Sequence, residues 1–332
     1  MRFCSCALEG AGAFDYNSAD FVKHQEDADV SVFSTMASTQ MLMFLYLAVG
    51  IVVSKTGVLK EEGRAGMLSF LIFVVMPASI LSPYTEGLER SQLAEGFQAM
   101  AISTACCLLT WRLGRILWRR APEGRRQVLV YSTMLPNLGN AGLPISQLVF
   151  GPMGVFYTSM QMIPSTIIGW TVGPSIYQLR SDGRMMLRRV ITNPNIIAVL
   201  LGMTMTLTGV RPPAVVCRAV SGIAGMTAPL SMVLIGSALS QVNPREALRL
   251  DVLLFCAVRL ALIPAGVWLV LRLLGVPEML AQVSAVLFGM PVANYVAIQA
   301  EMYGGDHRFA SALIFVTTLL SLVTVPLITL LF

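Results

Sequence analysis

Apolar and polar positions alternate along this chain in long blocks, and the apolar blocks define ten segments. A helix needs about 20 mostly apolar residues to cross the hydrocarbon core of a bilayer, and most of the segments approach or exceed that length. The segments are 38–54, 66–84, 95–118, 127–150, 153–179, 193–209, 214–240, 250–274, 279–302 and 308–331. The pattern predicts an all-α polytopic membrane protein with ten transmembrane helices.

Composition supports a membrane protein and excludes several other classes. Hydrophobic residues make up 55% of the 332 residues and charged residues only 12%, whereas soluble domains carry about 25% charged residues. The net charge of +5 comes from short basic clusters between apolar segments, which is unlike a nucleic-acid-binding surface. The lipid bilayer is therefore a predicted partner, and nucleic acid is not.

The basic residues also predict the topology. Loops after segments 2, 4, 6 and 8 carry only Arg90 and Arg211, whereas the loops after odd-numbered segments carry fourteen lysines and arginines. These fourteen are Lys55, Lys60, Arg64, Arg119, Arg120, Arg125, Arg126, Arg180, Arg184, Arg188, Arg189, Arg245, Arg249 and Arg308. Because basic loops stay in the cytoplasm, both termini are predicted outside the cell membrane. Residues 1–35 are polar and mildly acidic, and we interpret them as a disordered tail or an upstream extension of the reading frame.

Two segments are interrupted by residues that break helices. Residues 135–144 of segment 4 hold two prolines, two glycines and two asparagines. Proline lacks an N–H and glycine loosens the backbone, so a continuous helix is disfavoured there. The predicted helix-break and crossover residues are Pro136, Gly139, Gly142 and Pro144 in segment 4 and Pro291 in segment 9. Transporters place substrate sites at such breaks.

An internal repeat appears when the sequence is shifted by 152 residues. Residues 49–58 then align with 201–210 with four identities, and Pro77 aligns with Pro229. Five segments per half is an odd number, so the halves must be inserted with opposite orientation. We predict two inverted five-helix repeats, residues 36–180 and 193–332, joined by a cytoplasmic linker at 181–192.

The interrupted segment contains the pattern Pro136-Asn137 followed by Gly142-Leu143-Pro144. This pattern resembles that of the auxin efflux carrier family, which includes PIN-like carriers and bacterial carriers of organic acids. Further matching positions are Gln161, Trp170, Asn193-Pro194-Asn195, Ala228-Pro229-Leu230, Gly236, Met290-Pro291, Ala300, Tyr303 and Val325-Pro326-Leu327. The chain lacks the second proline after Pro291 and the long central loop of plant members, which favours the bacterial organic-acid branch.

The resemblance implies an architecture and a mechanism. Segments 1, 2, 6 and 7 would form a scaffold, which often provides a homodimer contact. Segments 3–5 and 8–10 would form a transport domain, in which broken helices 4 and 9 cross. The transport domain would move as an elevator.

A set of uncharged polar side chains near the breaks is predicted to bind substrate. The set is Asn137, Asn140, Gln161, Asn294 and Tyr295. Amide groups both donate and accept hydrogen bonds, and the N-termini of half-helices favour an anion such as a carboxylate. The alternative is that the asparagines only bond backbone groups that the prolines leave free.

Two charged residues are candidates for a coupling role. Arg259 lies inside segment 8, where it either attracts anions toward the crossing or pairs with a carboxylate such as Asp251. Glu301, near the end of segment 9, is a candidate for proton coupling or an ordinary interfacial carboxylate.

The predicted function is a secondary transporter that moves a small organic anion, a mono- or dicarboxylate, by elevator-type alternating access. The alternatives are a channel and a sensory membrane protein with a degenerate transporter fold. The segments contain neither a histidine paired with a cysteine nor a Ser/His/Asp arrangement, so we predict no enzyme, no cofactor and no metal.

Overall fold

The computed structural model describes residues 38–177, 183–240, 249–293, 295–330 and 332. These residues form twelve helices joined by turns, with one isolated antiparallel bridge. In chain order the helices are α1 (Ser38–Lys55), α2 (Glu61–Thr85), α3 (Gln92–Leu117), α4 (Glu123–Met134), α5 (Leu143–Ile176), α6 (Gly183–Ile191), α7 (Pro194–Thr208), α8 (Ala214–Leu239), α9 (Leu250–Leu273), α10 (Glu278–Phe288), α11 (Tyr295–Met302) and α12 (His307–Thr329). The whole predicted N-terminal tail, residues 1–35, and residues 181–182 of the predicted linker lie outside the described residues.

Every described helix except α6 overlaps a predicted apolar segment, and α5 joins the end of segment 4 to segment 5. Six of the described helices are long and apolar enough to cross a membrane, namely α1, α2, α3, α8, α9 and α12, and α7 and α10 are shorter apolar helices. Segment 4 is divided between α4 and the beginning of α5, and segment 9 between α10 and α11. Inside α5 the chain turns sharply at Gly151, whose φ of +61° suits a residue without a side chain. The predicted all-α membrane class is confirmed for the described residues.

Large apolar side chains cover much of the outer surface. Examples that are more than 60% exposed are Phe73, Leu109, Val215 and Leu273. Soluble monomers rarely expose contiguous apolar patches of more than a few hundred Å², because water disfavours them. The distribution fits a protein whose outer surface contacts lipid.

Glycines allow α1 and α8 to cross in backbone contact. A Cβ added at Gly50 would lie 2.2 Å from the carbonyl oxygen of Val233, and one added at Gly236 would lie 2.1 Å from that of Leu47. Small residues at helix crossings permit this approach, and close packing is the main source of helix association in lipid. The two glycines thus fix α1 against α8.

A second crossing, between α2 and α7, uses the counterparts of the same positions. A Cβ at Gly202 would lie 2.3 Å from the ring of Tyr84. The shift of 152 residues at which the sequence aligns with itself carries Gly50 onto Gly202 and Tyr84 onto Gly236. The contact between α1 and α8 therefore has a counterpart between α7 and α2 at equivalent positions.

Alanine at Gly236 is expected to destabilise the protein by about 1–3 kcal/mol, because its Cβ would push apart two packed backbones. The matched control is Gly222→Ala in the same helix, where a Cβ would meet nothing within 4 Å. The control should be neutral or stabilising by up to about 1 kcal/mol, since alanine is the better helix former. Thermal unfolding in detergent measures both, and equal shifts for the two variants would contradict this packing.

Candidate functional site

The two interrupted segments touch at their breaks. Helix α4 ends at Met134, two residues before Pro136, since the residue preceding a proline disfavours the helical conformation. Pro136 then forms an antiparallel bridge with Val292, and the Asn137 N–H donates to the carbonyl oxygen of Pro291 at 3.0 Å. Backbone groups that neither helix can satisfy therefore bond to each other across the crossing.

Arg259 holds the ends of both half-helices at this crossing. The side chain is fully buried, and it donates from Nη1 to the carbonyl oxygen of Thr133 at 3.0 Å and from Nε to that of Met290 at 3.2 Å. Thr133 is in the last turn of α4, and Met290 follows the end of α10. The C-terminus of a helix carries partial negative charge, so one guanidinium stabilises two such ends.

One of the two roles predicted for Arg259 is pairing with a carboxylate such as Asp251, but the guanidinium bonds to backbone carbonyl oxygens in this arrangement. Asp251 instead forms ion pairs with Arg125 at 3.6 Å and with Arg249 at 3.1 Å. Arg259 lies in a widened turn of α9, Val258–Leu262, in which the Ile263 N–H reaches back five residues to Val258. Widened turns occur often at functional sites. This one places Arg259 in the interior of α9, where its side chain reaches the crossing.

Asn137 caps the half-helix that follows the break, which begins with the widened turn Leu138–Gly142 and continues into α5. Its Oδ1 accepts a hydrogen bond from the Asn140 N–H at 3.1 Å, and the Gly142 N–H donates to the Asn137 carbonyl oxygen at 2.9 Å. The interpretation that the asparagines satisfy freed backbone groups is thus correct for the oxygen of Asn137. An asparagine has two further amide N–H donors, and Asn137 lines a cavity.

That cavity, which we call the crossing cavity, has a volume of about 330 Å³. It lies between the break in segment 4, helix α5 and the helices α2 and α7. Its lining is Leu68, Ile72, Met76, Pro136, Asn137, Leu138, Gly139, Asn140, Met162, Ser165, Thr166, Gly169, Trp170, Asn193 and Asn195. The walls are apolar side chains with several neutral polar groups, which is typical of a small-molecule site.

A larger cavity of about 600 Å³, the basic vestibule, adjoins it. Asn140 and Leu68 line both cavities. The vestibule lies between α2 and α8 on one side and α11 and α12 on the other. Its polar lining residues are Arg64, Asn140, Ser231, His307, Arg308, Ser311 and Thr318. Arg64 lies in the first turn of α2 and Arg308 in that of α12, so basic groups mark one end of the vestibule and Asn140 connects it to the crossing.

Comparison with known proteins identifies the family. Over residues 35–184 and 178–329 the sequence matches the family described as membrane transport protein, that of the auxin efflux carriers. The chain belongs to this family. It is a membrane transporter and not an enzyme, and the resemblance inferred from the segment-4 pattern is confirmed.

Two relatives have names that refer to transport. A protein of Methanothermobacter thermautotrophicus (strain Delta H), named "Uncharacterized transporter", is 26% identical over 306 residues, which are 89% of this chain and 98% of the relative. A protein of Rhizobium meliloti (strain 1021), named "Putative malonate transporter", is 21% identical over 275 residues, which are 80% of this chain and 85% of the relative.

The transporter brings together only some of the predicted substrate-binding residues. Gln161 is fully buried, and its Nε2 donates to Ser284 Oγ of α10 at 2.9 Å. Its backbone carbonyl oxygen accepts from Ser103 Oγ of α3 at 2.9 Å. Gln161 is absent from the described linings of both cavities, so it connects α3, α5 and α10 behind the site.

The remaining predicted residues of the transporter lie around the break in segment 9. Asn294 and the side chain of Tyr295 fall outside the described residues. Pro291 is buried at the crossing, and Glu301 is exposed at the end of α11. The coupling role of Glu301 stays a prediction.

The glycines and the second proline of the segment-4 break are tightly packed against neighbouring helices. A Cβ added at Gly142 would lie 2.8 Å from the Leu287 side chain of α10, and one at Gly139 would lie 3.3 Å from Met76. Pro144 is buried in the first turn of α5. The glycines thus let the break approach both α10 and α2.

Several lining residues of the transporter were not predicted as site residues. Ser165, Thr166 and Trp170 line the crossing cavity from α5, and Asn193 and Asn195 line it from the start of α7. Trp170 and the Asn-Pro-Asn run were recognised only as matching the family pattern. Asn193 also accepts a hydrogen bond from the Asn195 N–H at 3.0 Å, as expected of a helix cap.

Proposed function

We propose that this protein is a secondary transporter that moves a small organic anion, a mono- or dicarboxylate, across the cell membrane by alternating access. The observation that supports this most strongly is the position of Asn137 and Asn140. They line a cavity at the point where two interrupted membrane segments cross. Channels need a continuous pore, whereas the substrate sites of secondary transporters lie at broken helices near the middle of the membrane.

The groups that would favour an anion in this cavity are the dipoles of a helix N-terminus and of amide side chains, and not charged side chains. The half-helix after Asn137 begins at the cavity wall, and a helix N-terminus carries partial positive charge. The described lining of the crossing cavity holds no charged side chain. A carboxylate held by amide N–H groups in such a neutral site is bound weakly enough to be released, as a carrier requires.

The architecture we propose is two inverted five-helix repeats, 36–180 and 193–332, with both termini outside. Helices α1, α2, α7 and α8 form the scaffold and a homodimer contact, and the other membrane helices form a transport domain that moves as an elevator. The equivalent glycine crossings at Gly50 with Gly236 and at Gly202 with Tyr84 support the repeat. Both cavities lie between the proposed scaffold and the proposed transport domain, which is the interface along which the transport domain would move in an elevator mechanism.

The basic vestibule is the proposed cytoplasmic entrance. Arg64 and Arg308 belong to loops that the charge pattern assigns to the cytoplasm, and they line the same cavity as Asn140. Clefts lined by one sign of charge concentrate counter-ions. The structure is therefore proposed to be an inward-facing state.

The entrance role predicts a change in KM. Replacing Arg64 and Arg308 together by glutamine is expected to raise KM for an anionic substrate by about threefold to tenfold at low salt, with kcat unchanged. The matched control is Arg120→Gln, an exposed arginine that belongs to the same predicted side but lines neither cavity. Initial rates in proteoliposomes at two ionic strengths measure this, and an unchanged KM would refute the entrance.

Uptake into proteoliposomes tests the function itself. Labelled malonate is the first substrate to try, because a distant relative is named for it, followed by malate, lactate and indole-3-acetate. Saturable uptake and counterflow, with and without a pH gradient, are expected for one of these. Single-file conductance in a planar bilayer would favour a channel, and failure to bind any metabolite of a broad panel would favour a sensory protein.

A further inference from the structure

A third cavity, which shares no lining residue with the crossing cavity or the basic vestibule, is lined by three arginines. It has a volume of about 370 Å³ and opens between α3, α4 and the end of α5. The lining is Trp111, Arg115, Arg119, Arg126, Gln127, Val130, Ser175 and Ile176. The proposed transport path uses none of these side chains. We call this cavity the arginine cavity.

The charge around the arginine cavity is strongly positive. Arg126 forms a surface ion pair with Glu123 at 3.1 Å, which offsets one guanidinium. Arg115 lies over the ring of Trp111 at 5.4 Å, an arrangement that leaves the charge of the guanidinium in place. Arg119 is exposed at the end of α3. Among the described residues, the cavity therefore offers more positive charge than the carboxylate of Glu123 balances.

Guanidinium groups arranged around one cavity suit a phosphate. Arginine presents a planar fork of N–H donors that matches phosphate oxygens in a bidentate manner. Gln127 lines the same cavity and adds an amide that donates and accepts. A phosphate diester carries a single negative charge, which two or three such forks can surround.

The surface next to the cavity favours a phospholipid over a soluble phosphate as the ligand. Leu108 lies two helical turns before Arg115 on the same face of α3 and is 42% exposed. Leu109 beside it is 65% exposed, and the exposed Arg112 lies one turn after these two leucines. The exposed side chains of α3 therefore change from basic to apolar on the N-terminal side of the arginines, with Trp111 at the boundary where aromatic rings favour the bilayer interface. A soluble phosphate would not use this apolar surface, whereas acyl chains would cover it.

We propose that the arginine cavity binds the phosphate headgroup of an anionic phospholipid, whose acyl chains lie along the exposed face of α3. Basic pockets between membrane helices on the cytoplasmic side bind such headgroups. The arginines belong to the loop that the charge pattern places on that side. The site is independent of the substrate and of the transport mechanism.

Native mass spectrometry of the purified full-length protein in detergent tests the proposal. The probes are phosphatidylglycerol and phosphatidylcholine with identical acyl chains, and sn-glycerol 3-phosphate as a headgroup without chains. The wild type is expected to retain phosphatidylglycerol much more strongly than either of the other two. Each arginine near an anionic headgroup contributes about fivefold in affinity, so the Arg119→Gln/Arg126→Gln variant should bind about 25-fold more weakly.

The matched control is the Arg120→Gln/Arg188→Gln variant. Both arginines are exposed and lie on the same predicted side of the membrane, but they are absent from the described lining of the cavity, and the variant loses the same charge. It should retain phosphatidylglycerol within about twofold of the wild type. Equal retention of both lipids, equal losses in the two double variants, or equally tight binding of glycerol 3-phosphate would each overturn the proposal. All four replaced side chains lie at the surface, so thermal unfolding should confirm that both variants fold.

Discussion

Replacing Asn137 by alanine is expected to abolish uptake while the protein still inserts and folds. The side chain lines the crossing cavity and caps the half-helix that begins beside it. Losing a hydrogen bond to a charged ligand lowers affinity by about 1.5–3 kcal/mol, which is at least tenfold. Losing the cap costs about 1 kcal/mol of stability. Proteoliposome uptake and thermal unfolding measure the two effects separately.

A second substitution at the same position separates capping from binding. Asn137→Asp keeps an oxygen that accepts from the Asn140 N–H, and aspartate is as good a helix cap as asparagine. It also places a negative charge where the anion is proposed to bind. The variant should therefore be as stable as the wild type and still transport poorly. Normal uptake by Asn137→Asp would show that Asn137 is only a cap.

Replacing Arg259 by methionine is expected to destabilise the crossing and to reduce uptake strongly. The change leaves the carbonyl oxygens of Thr133 and Met290 buried without their donor, at about 1–3 kcal/mol each. Relief of the desolvation of a buried charge offsets part of this loss. Because the two half-helix ends would no longer be held together, the position of Asn137 should also change. Uptake should fall further than the loss of folded protein explains.

Lysine at this position and a distant arginine provide the controls. Arg259→Lys keeps a charge and one reachable carbonyl, so it should recover part of the stability and part of the uptake. Arg272→Met removes an exposed arginine from the same helix, where it stacks on Trp268 at 5.5 Å, and should be nearly neutral. Full uptake by Arg259→Met, after correction for folded protein, would contradict the positioning role.

The breaks in the membrane segments could be predicted from local chemistry alone. Pro136 lacks an N–H and restricts the residue before it, and α4 indeed ends at Met134. Gly289 and Pro291 similarly follow the end of α10 at Phe288. These effects depend on neighbours in the sequence, which is why the positions of the breaks follow from it.

The partners of Arg259 could not be predicted in the same way. Carboxylates are the partners that a sequence suggests for a buried arginine, and Asp251 lies only eight residues before Arg259 in the same segment. The actual acceptors are backbone oxygens 126 and 31 residues away, and every residue has such an oxygen. Only the packing of α4, α9 and α10 decides which of them meet the guanidinium.

The composition of the cavity also depends on packing between the two halves. Asn193 and Asn195 begin α7, yet they lie beside residues of α5 and of the segment-4 break. Gln161 belongs to the same helix as Trp170, but it turns toward Ser284 of α10. A polar side chain on a membrane helix therefore does not reveal from sequence whether it faces a cavity or a neighbouring helix.

A structure of the protein with bound substrate tests the central claim most directly. The substrate should be the one that shows saturable uptake, added to the purified protein before single-particle imaging. We predict density for a carboxylate within hydrogen-bonding distance of the side chains of Asn137 and Asn140, beside the contact between Pro136 and Val292. Substrate density at another place, or segments 4 and 9 as unbroken helices that do not meet, would contradict the account.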